Sequence, residues 1–198
     1  MTTVVLSAAS PERPGLQALA GVLDGELRDA GEAVRRFDLS AMPLAYCQGE
    51  FDCWVKTPGS CRVHDEESAI VQAVHGADTV IFFGPVSFGG HGSLLKRAID
   101  RLICLLAPFF EKRASLTHHP PRYEKAHRIF AVGFVDHISE EVARTFAELA
   151  DANALNYSGS AVGSVLLDDA HDMAWPWAIR QMLTHAHVPG ARIEGRDE

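Results

Sequence analysis

A glycine-rich turn near the middle of the chain has the composition of a ligand-binding loop. It follows an apolar run at positions 81–83, which lacks helical spacing and resembles a strand buried on both faces. Glycines at positions 89, 90 and 92 precede Ser93, a helix-capping residue type, and an amphipathic segment. Exposed backbone N–H groups beside a helix start suit an anionic or polar planar ligand. The alternative is an ordinary strand-to-helix connection.

Four cysteines are the other side chains with redox or metal chemistry, at positions 47, 53, 61 and 104. They are too few for a disulfide scaffold in a chain of 198 residues. The first three are six and eight residues apart and lack the close pairs that organise zinc or iron–sulfur sites. We therefore predict no bound metal. Cys47, Cys53 and Cys61 remain either inert thiols in a structured loop or a redox-active set.

The elements that would position these residues alternate between short apolar runs and segments of helical spacing. Strands are predicted at 2–8, 33–37, 81–83, 129–135 and 160–167, with helices between them. A cysteine-containing insert at 40–64 and a His/Pro-rich loop at 108–126 interrupt the alternation. The pattern predicts a single α/β domain over 1–198, with a parallel sheet covered on both faces. Such sheets bind ligands beyond the carboxyl ends of their strands, where the first and third strands meet.

Composition limits the possible partners. Hydrophobic residues make up 47% and charged residues 22%, close to an average globular protein. The net charge of −8 and the lack of a basic run argue against nucleic acid as a partner. No apolar stretch approaches the roughly 18–20 residues that span a bilayer, and the N-terminus lacks a basic flank. We expect no membrane partner and a cytoplasmic location.

Three sequence blocks carry a resemblance to a known family. PVSFGG followed by LKRAIDR resembles the isoalloxazine-holding loop and next helix of flavodoxin-like NAD(P)H-dependent FMN reductases. The insert block FDCWVKTPGSC, and LLAPFF with HHPPRYEK, resemble the iron–sulfur-flavoprotein-like branch of that family. The cluster cysteines are incomplete, because Gln48-Gly49-Glu50 stands where a further cysteine is expected. The resemblance implies a flavodoxin-like three-layer sandwich with a five-stranded parallel sheet in the order 2-1-3-4-5.

The resemblance also implies a cofactor, FMN, and an electron donor, NAD(P)H. Residues of the first loop would take the phosphate, the PVSFGG loop would hold the ring, and the loop after the fourth strand would line it. Gly89 would leave room for the ring, and His91 would hydrogen-bond it or donate a proton. No catalytic side chain is implied, because the flavin supplies the chemistry. The implied cofactor-binding residues are Ser7, Ser10, Arg13, Pro85, Val86, Ser87, Phe88, Gly89, Gly90, His91, Gly133, Phe134 and Asp136.

Three functional hypotheses follow. The first is an FMN-dependent NAD(P)H oxidoreductase that passes electrons to a small acceptor such as a quinone, a metal complex or a nitro compound. The second is a flavodoxin-like binding or assembly protein that has lost FMN, which Glu12 and Leu16 in the first loop favour. The third is a thiol-based redox sensor that uses Cys47, Cys53 and Cys61.

Aromatic residues concentrate outside the regular alternation and predict an interface. They lie in the insert and in the 105–123 segment. Together these two segments carry more aromatic surface than a monomer is expected to leave in water. We expect a homodimer whose contact includes both segments. The alternative is a lid in which they pack on each other within one subunit. The residues concerned are Phe51, Trp54, Phe109, Phe110 and Tyr123.

Overall fold

The computed structural model describes residues 1–113 and 116–190. Positions 114 and 115 of the His/Pro-rich loop, and 191–198 of the predicted domain, lie outside the described residues. The strands are β1 (Thr2–Ser7), β2 (Ala33–Asp38), β3 (Thr79–Ser87), β4 (Gly90–His91), β5 (Glu111–Arg113), β6 (Leu116–His118), β7 (Arg128–Phe134) and β8 (Ala161–Leu167). The helices are α1 (Pro14–Asp29), α2 (Asp52–Val55), α3 (Glu67–Gly76), α4 (Ser93–Arg101), α5 (Glu140–Asn156) and α6 (Trp175–Thr184).

The central sheet has the predicted order. Five parallel strands run β2-β1-β3-β7-β8, so the fourth and fifth predicted strands are β7 and β8. Ser7 is in register with Phe83, and Phe134 with Leu167. The carboxyl ends of the strands therefore meet at one side of the sheet, which we call the carboxyl edge.

The third strand is longer than predicted, and it brings a sixth strand with it. β3 continues through Gly84 and Pro85 to Ser87, where β4 pairs with it antiparallel. A Cβ at Gly84 would lie 2.9 Å from the Cβ of Ala8, so glycine allows the first loop to pack against this strand. β1 ends level with Phe83, so Pro85 lies in a stretch with β7 as its parallel neighbour, where proline is tolerated. The Gly-Pro pair is therefore part of the strand.

Helices cover both faces of the sheet and complete the three layers. The helices α1 and α6 bury Leu19 and Ile179 against Ile81 and Phe83 on one face. On the other face α3 and α4 pack over Leu6 and Phe82, and α5 packs over Ala131 through Phe146. This confirms the predicted flavodoxin-like sandwich. None of the helices in the described residues is long and apolar enough to cross a membrane.

The chain after α6 returns along the outer side of β8. His187 exchanges two backbone hydrogen bonds with Val162, at 2.8 and 2.9 Å. Asp151 of α5 holds this return segment in place: it is fully buried and accepts hydrogen bonds from His187 Nε2 at 2.9 Å and the Gly190 N–H at 2.8 Å. The return segment thus pairs with the last strand of the sheet.

Candidate functional site

Three loops meet at the carboxyl edge: residues 8–13 after β1, the turn between β3 and β4, and residues 135–139 after β7. An ion pair between Arg13 Nη2 and Asp136 Oδ1, at 3.1 Å, connects the first and third loops. The two side chains are 42% and 86% exposed. Because an exposed ion pair contributes only about 0–1 kcal/mol to stability, Arg13 is held in place weakly. The arrangement brings two predicted site residues together from positions 123 apart in the chain.

The two serines of the first loop have different surroundings. Ser7 is 2% exposed, and its hydroxyl accepts hydrogen bonds from Arg36 Nη1 at 3.3 Å and the Ala9 N–H at 3.4 Å. Ser10 is partly exposed, and its hydroxyl accepts the Glu12 N–H at 3.2 Å. The structure therefore places Ser10 at the surface of the loop. It places Ser7 in the interior, where it orders the start of the loop.

The start of α1 is available to an anion. Pro14 is in its first turn, Arg13 at the N-cap makes no side-chain cap hydrogen bond, and the first turn has no acidic residue. The unsatisfied N–H groups and the helix dipole at such a terminus attract negative charge. Together with the Arg13 guanidinium, this terminus suits a phosphate or a carboxylate.

A carboxylate of the protein already lies beside this helix start. An ideal Cβ at Gly15 would overlap Asp169 Oδ1, so only glycine allows Asp169 to pack there. The preceding residue, Asp168, is buried. Its carboxylate accepts a hydrogen bond from His171 Nδ1 at 2.6 Å, and its backbone carbonyl accepts one from Trp175 Nε1 at 2.9 Å. Sequence reasoning missed Asp169, because its contact with Gly15 joins the start of α1 to the segment after β8, which are far apart in the chain.

The PVSFGG segment forms a β-hairpin rather than an open loop. Its two turn residues, Phe88 and Gly89, have φ values of 51° and 77°, as a tight two-residue turn requires. Phe88 has an unusual backbone conformation, because aromatic residues rarely adopt positive φ. Its side chain is 97% exposed. The N–H groups of Phe88 and Gly89 have no hydrogen-bond acceptor within the described residues. The tip thus offers backbone donors and an aromatic ring to a planar ligand.

Gly89 has a different role from the one expected. A Cβ at this position would lie 2.6 Å from the Cβ of Thr145 on α5, so the glycine faces the protein and not the open side of the hairpin. Glycine is needed at position 89 because a side chain there would meet Thr145, and not, as expected, because a side chain would occupy the space of a ring. At Gly90 a Cβ would meet only Ser87 O, at 3.6 Å, which is an ordinary contact.

Several predicted site residues face inward beneath the hairpin. The His91 ring lies edge-on to Phe82 and Phe146, with centroids 6.0 and 5.4 Å away, and neither ring nitrogen has a hydrogen-bond partner among the described residues. Burial lowers the pKa of His91 to about 4, so it is neutral near pH 7 and does not donate a proton there. The expected hydrogen bond between His91 and a ligand stays a prediction.

Gly133, Phe134 and Val86 are buried as well. A Cβ at Gly133 would lie 2.6 Å from Val86 Cγ2, and Phe134 is 3% exposed and packs edge-on to Trp175. Their side chains support the loops from below, and the expectation that the backbone at Gly133 and Phe134 lines the flavin stays a prediction. The predicted residues with exposed or partly exposed surface at the carboxyl edge are Ser10, Arg13, Pro85, Ser87, Phe88, Gly90, His91 and Asp136.

The cysteines gather at the other end of α4. All four line one cavity, which we call the cysteine cavity. Cys104, which follows α4, was not expected there, and it lines the cavity together with Cys53. No group of three or more His, Cys, Asp or Glu side chains within 1–113 and 116–190 is arranged to hold a metal ion. The nine residues of α4, about 13 Å long, separate this cavity from the hairpin.

A buried ion pair closes the wall of the cysteine cavity. Arg101 is 1% exposed and donates to Asp65 Oδ2 at 2.5 Å and to the carbonyls of Ala45 and Val63 at 3.3 and 3.4 Å. Burial alone would raise the pKa of Asp65, but the hydrogen bonds from Arg101 and from backbone N–H groups hold it below its usual value. Glu67 is 1% exposed, and neither of its carboxyl oxygens has a hydrogen-bond partner among the described residues. Burial raises the pKa of Glu67 to about 8.

Comparison with known proteins agrees with the fold. Residues 1–121 match the family described as NADPH-dependent FMN reductase. No curated protein matches the chain. An NAD(P)H:quinone oxidoreductase from Methanothermobacter marburgensis is 15% identical over 94% of this chain and 98% of its own, with a TM-score of 0.68. An FMN-dependent NADH-azoreductase from Bacillus anthracis, solved with FMN, is 12% identical over 94% and 99%, with a TM-score of 0.62. At these identities the two structures show the shared fold.

Proposed function

Because the chain belongs to the NADPH-dependent FMN reductase family, it is an NAD(P)H-dependent flavin oxidoreductase with FMN as its cofactor, and we propose that its acceptor is a small planar molecule of the quinone class. The Methanothermobacter protein, which has the same fold, is named as a quinone oxidoreductase. The exposed hairpin tip with Phe88 supports the proposal, because a planar acceptor gains by packing against an aromatic ring. Metal complexes and nitro compounds are the competing acceptor classes.

The residues at the carboxyl edge fit FMN. Arg13, Ser10 and the first-turn N–H groups of α1 would hold the phosphate, and the N–H groups of Phe88 and Gly89 would hold the polar edge of the ring. When bound, FMN supplies the hydride chemistry. The observation that carries this placement of the phosphate is the start of α1, which has no side-chain cap and lies beside a weakly held arginine.

The chain's own groups bind and orient rather than react. Arg13 exchanges the Asp136 carboxylate for a phosphate at little cost, because their exposed ion pair is weak. His91 stays neutral and packs beneath the hairpin, so it supports the turn without taking part in proton transfer. The ring-holding groups are backbone atoms, so the site depends on the conformation of the hairpin more than on particular side chains.

Titration with FMN and steady-state kinetics test the proposal. The Arg13→Ala variant should bind FMN about tenfold more weakly, since a charge-assisted hydrogen bond is lost. Arg28→Ala, at the other end of α1, is the matched control and should bind normally. NADPH oxidation should be faster with a benzoquinone than with a ferric complex or a nitroarene. Equal binding by both variants would contradict the placement of the phosphate, and preference for another acceptor would contradict the quinone class.

One observation favours a flavin-free binding protein as the second candidate. The Asp169 carboxylate beside Gly15 places negative charge close to the position proposed for the phosphate. If the protein bound no FMN at roughly 100 μM, which corresponds to an affinity weaker than about −5.5 kcal/mol, this second function would replace the first.

We also propose a homodimer that acts in the cytoplasm, where its four free thiols would stay reduced. The insert and the 105–123 segment contact each other within one chain: Trp54 packs on His119 with centroids 4.6 Å apart, and Phe110 packs on the same ring at 4.8 Å. Phe109 and Phe110 nevertheless remain 70% and 74% exposed, which supports a partner at this surface. Light scattering at micromolar concentration should give twice 21.5 kDa, and the monomer mass would contradict the dimer.

A further inference from the structure

The cysteine cavity brings together thiols with different exposure. Cys47 is exposed and Cys61 is partly exposed, whereas Cys53 and Cys104 are buried. Cys53 and Cys104 line this cavity together, although they come from positions 51 apart, one in α2 and one after α4. Placing two cysteines in one cavity wall meets the first condition for a disulfide, which is that their sulfur atoms can approach each other.

A fixed positive charge stands in the wall of this cavity. The Arg101 guanidinium lines the cavity together with Cys61 and is paired with Asp65. An adjacent guanidinium favours the thiolate form of cysteine, which is the form that attacks an oxidant. Cys61 therefore combines access from solvent with a cationic neighbour in the cavity wall.

The buried pair lacks this activation. Burial raises the pKa of Cys53, and it raises the pKa of Cys104 to about 12. Both are protonated near pH 7 and do not begin a reaction with a dilute oxidant. They line the same cavity as Cys61, however. The geometry thus divides the roles between an entry thiol and a buried pair.

We propose that the cysteine cavity is a hydroperoxide-responsive thiol site, in which Cys61 is oxidised first and a Cys53–Cys104 disulfide is the product. The Cys61 thiolate attacks the peroxide O–O bond, takes one oxygen as sulfenic acid and releases an alcohol after protonation. The Cys53 thiol then displaces this hydroxyl as water and forms a Cys61–Cys53 disulfide. Cys104 displaces Cys61 from Cys53, and its proton passes to the released sulfur. The peroxide gains two electrons, and two thiols become one disulfide.

The product would connect two parts of the fold. A Cys53–Cys104 disulfide joins α2 of the insert to the turn that follows α4. This site is separate from the carboxyl edge, so its oxidation does not depend on bound FMN.

Disulfide mapping of the full-length protein tests the proposal. The reduced protein is treated with one equivalent of hydrogen peroxide and digested without reductant, and the cross-linked peptides are identified by mass spectrometry. The Cys53–Cys104 peptide pair should dominate. Cys61→Ser should form this disulfide at least about tenfold more slowly, because the entry thiolate is absent. It should still form the disulfide with diamide, which shows that the buried pair is intact. Cys47→Ser is the matched control and should react at the wild-type rate.

Three results would overturn the inference. One is oxidation confined to Cys47, and another is equal peroxide rates for Cys61→Ser and the wild type. The third is near-stoichiometric zinc or iron in protein purified anaerobically, which would assign the thiols as ligands. FMN titration of the same variants should be unchanged, so failure of this proposal is distinguishable from failure of FMN binding.

Discussion

The carboxyl edge and the wall of the cysteine cavity lie at opposite ends of α4 and are held in contrasting ways. At the carboxyl edge the polar contacts are exposed, as in the Arg13–Asp136 pair. At the cavity, Arg101 is almost completely buried and binds a carboxylate and two carbonyls. Exposed pairs exchange partners easily, whereas a buried charge must keep its partner. The difference indicates that the polar contacts of the carboxyl edge can be exchanged for others, whereas the buried contacts of Arg101 hold the insert in a fixed position.

Removing the buried charge should give the largest effect. Arg101→Met leaves Asp65 buried without its partner and should lower the free energy of unfolding by about 3–5 kcal/mol in urea denaturation. Lys96→Met is the control on the same helix, since Lys96 pairs with Asp100 at the surface, and should change stability by about 0.5 kcal/mol or less. Similar small losses of unfolding free energy in both variants would contradict the contrast between the two ends of α4.

Glu67 should make the cavity end sensitive to pH. Its pKa is about 8 in the folded protein against an ordinary value of 4.5, so between these values the folded state holds a proton that the unfolded state has lost. Its contribution to stability is complete below pH 4.5 and falls as pH rises toward 8, by at most about 1.4 kcal/mol per pH unit. Glu67→Gln should flatten the dependence of unfolding free energy on pH over this range. An unchanged slope would show that Glu67 reaches a partner or water in the folded state.

Substitutions at two adjacent glycines of the hairpin test the carboxyl edge. Gly89→Ala places a Cβ against Thr145 at a φ of 77°, and should cost about 1–3 kcal/mol of stability. Thr145 cannot turn away, because the close atoms include its own Cβ. Gly90→Ala makes only an ordinary contact and should change stability by less than about 1 kcal/mol. FMN titration of the second variant sharpens the site: lost binding with normal stability would place the ring over Gly90.

The smallest effect is expected at Asp169. Asp169→Asn removes negative charge beside the start of α1 and should tighten FMN binding about two- to fivefold at low salt, less at high salt. Asp172→Asn, in the same exposed segment, should have less effect because its carboxyl group accepts the Met173 N–H instead. Weaker FMN binding by Asp169→Asn would show that this carboxylate organises the site rather than opposing the phosphate.

Sequence reasoning succeeded where the pattern is local. Strand positions follow from apolar runs, and the strand order follows from the resemblance and the alternation with helices. It failed at Gly84-Pro85, which usually ends a strand but here continues one because the neighbouring strand stops at Ser7. Local pattern therefore predicts the backbone well, except where the length of a neighbouring strand determines where a strand ends.

The direction of a loop side chain was harder to predict than the loop itself. His91 and Phe134 lie in the expected loop and strand, but packing against Phe146 of α5 and Trp175 of α6 turns them inward. Contacts between distant positions were missed for the same reason: Asp169 meets Gly15, and Cys104 lines one cavity with Cys53. Nothing in local spacing indicates such pairs, because the sheet order brings them together.

The return segment after α6 has a consequence for association between molecules. By pairing with Val162, it occupies backbone groups of β8 that would otherwise be free to recruit a strand from another copy. Asp151 holds it through a histidine and a backbone N–H, so the cover on this strand depends on one buried carboxylate. A chain shortened before His187 would keep the loops of the carboxyl edge and yet expose the unpaired backbone groups of β8, so loss of solubility would precede any loss of cofactor.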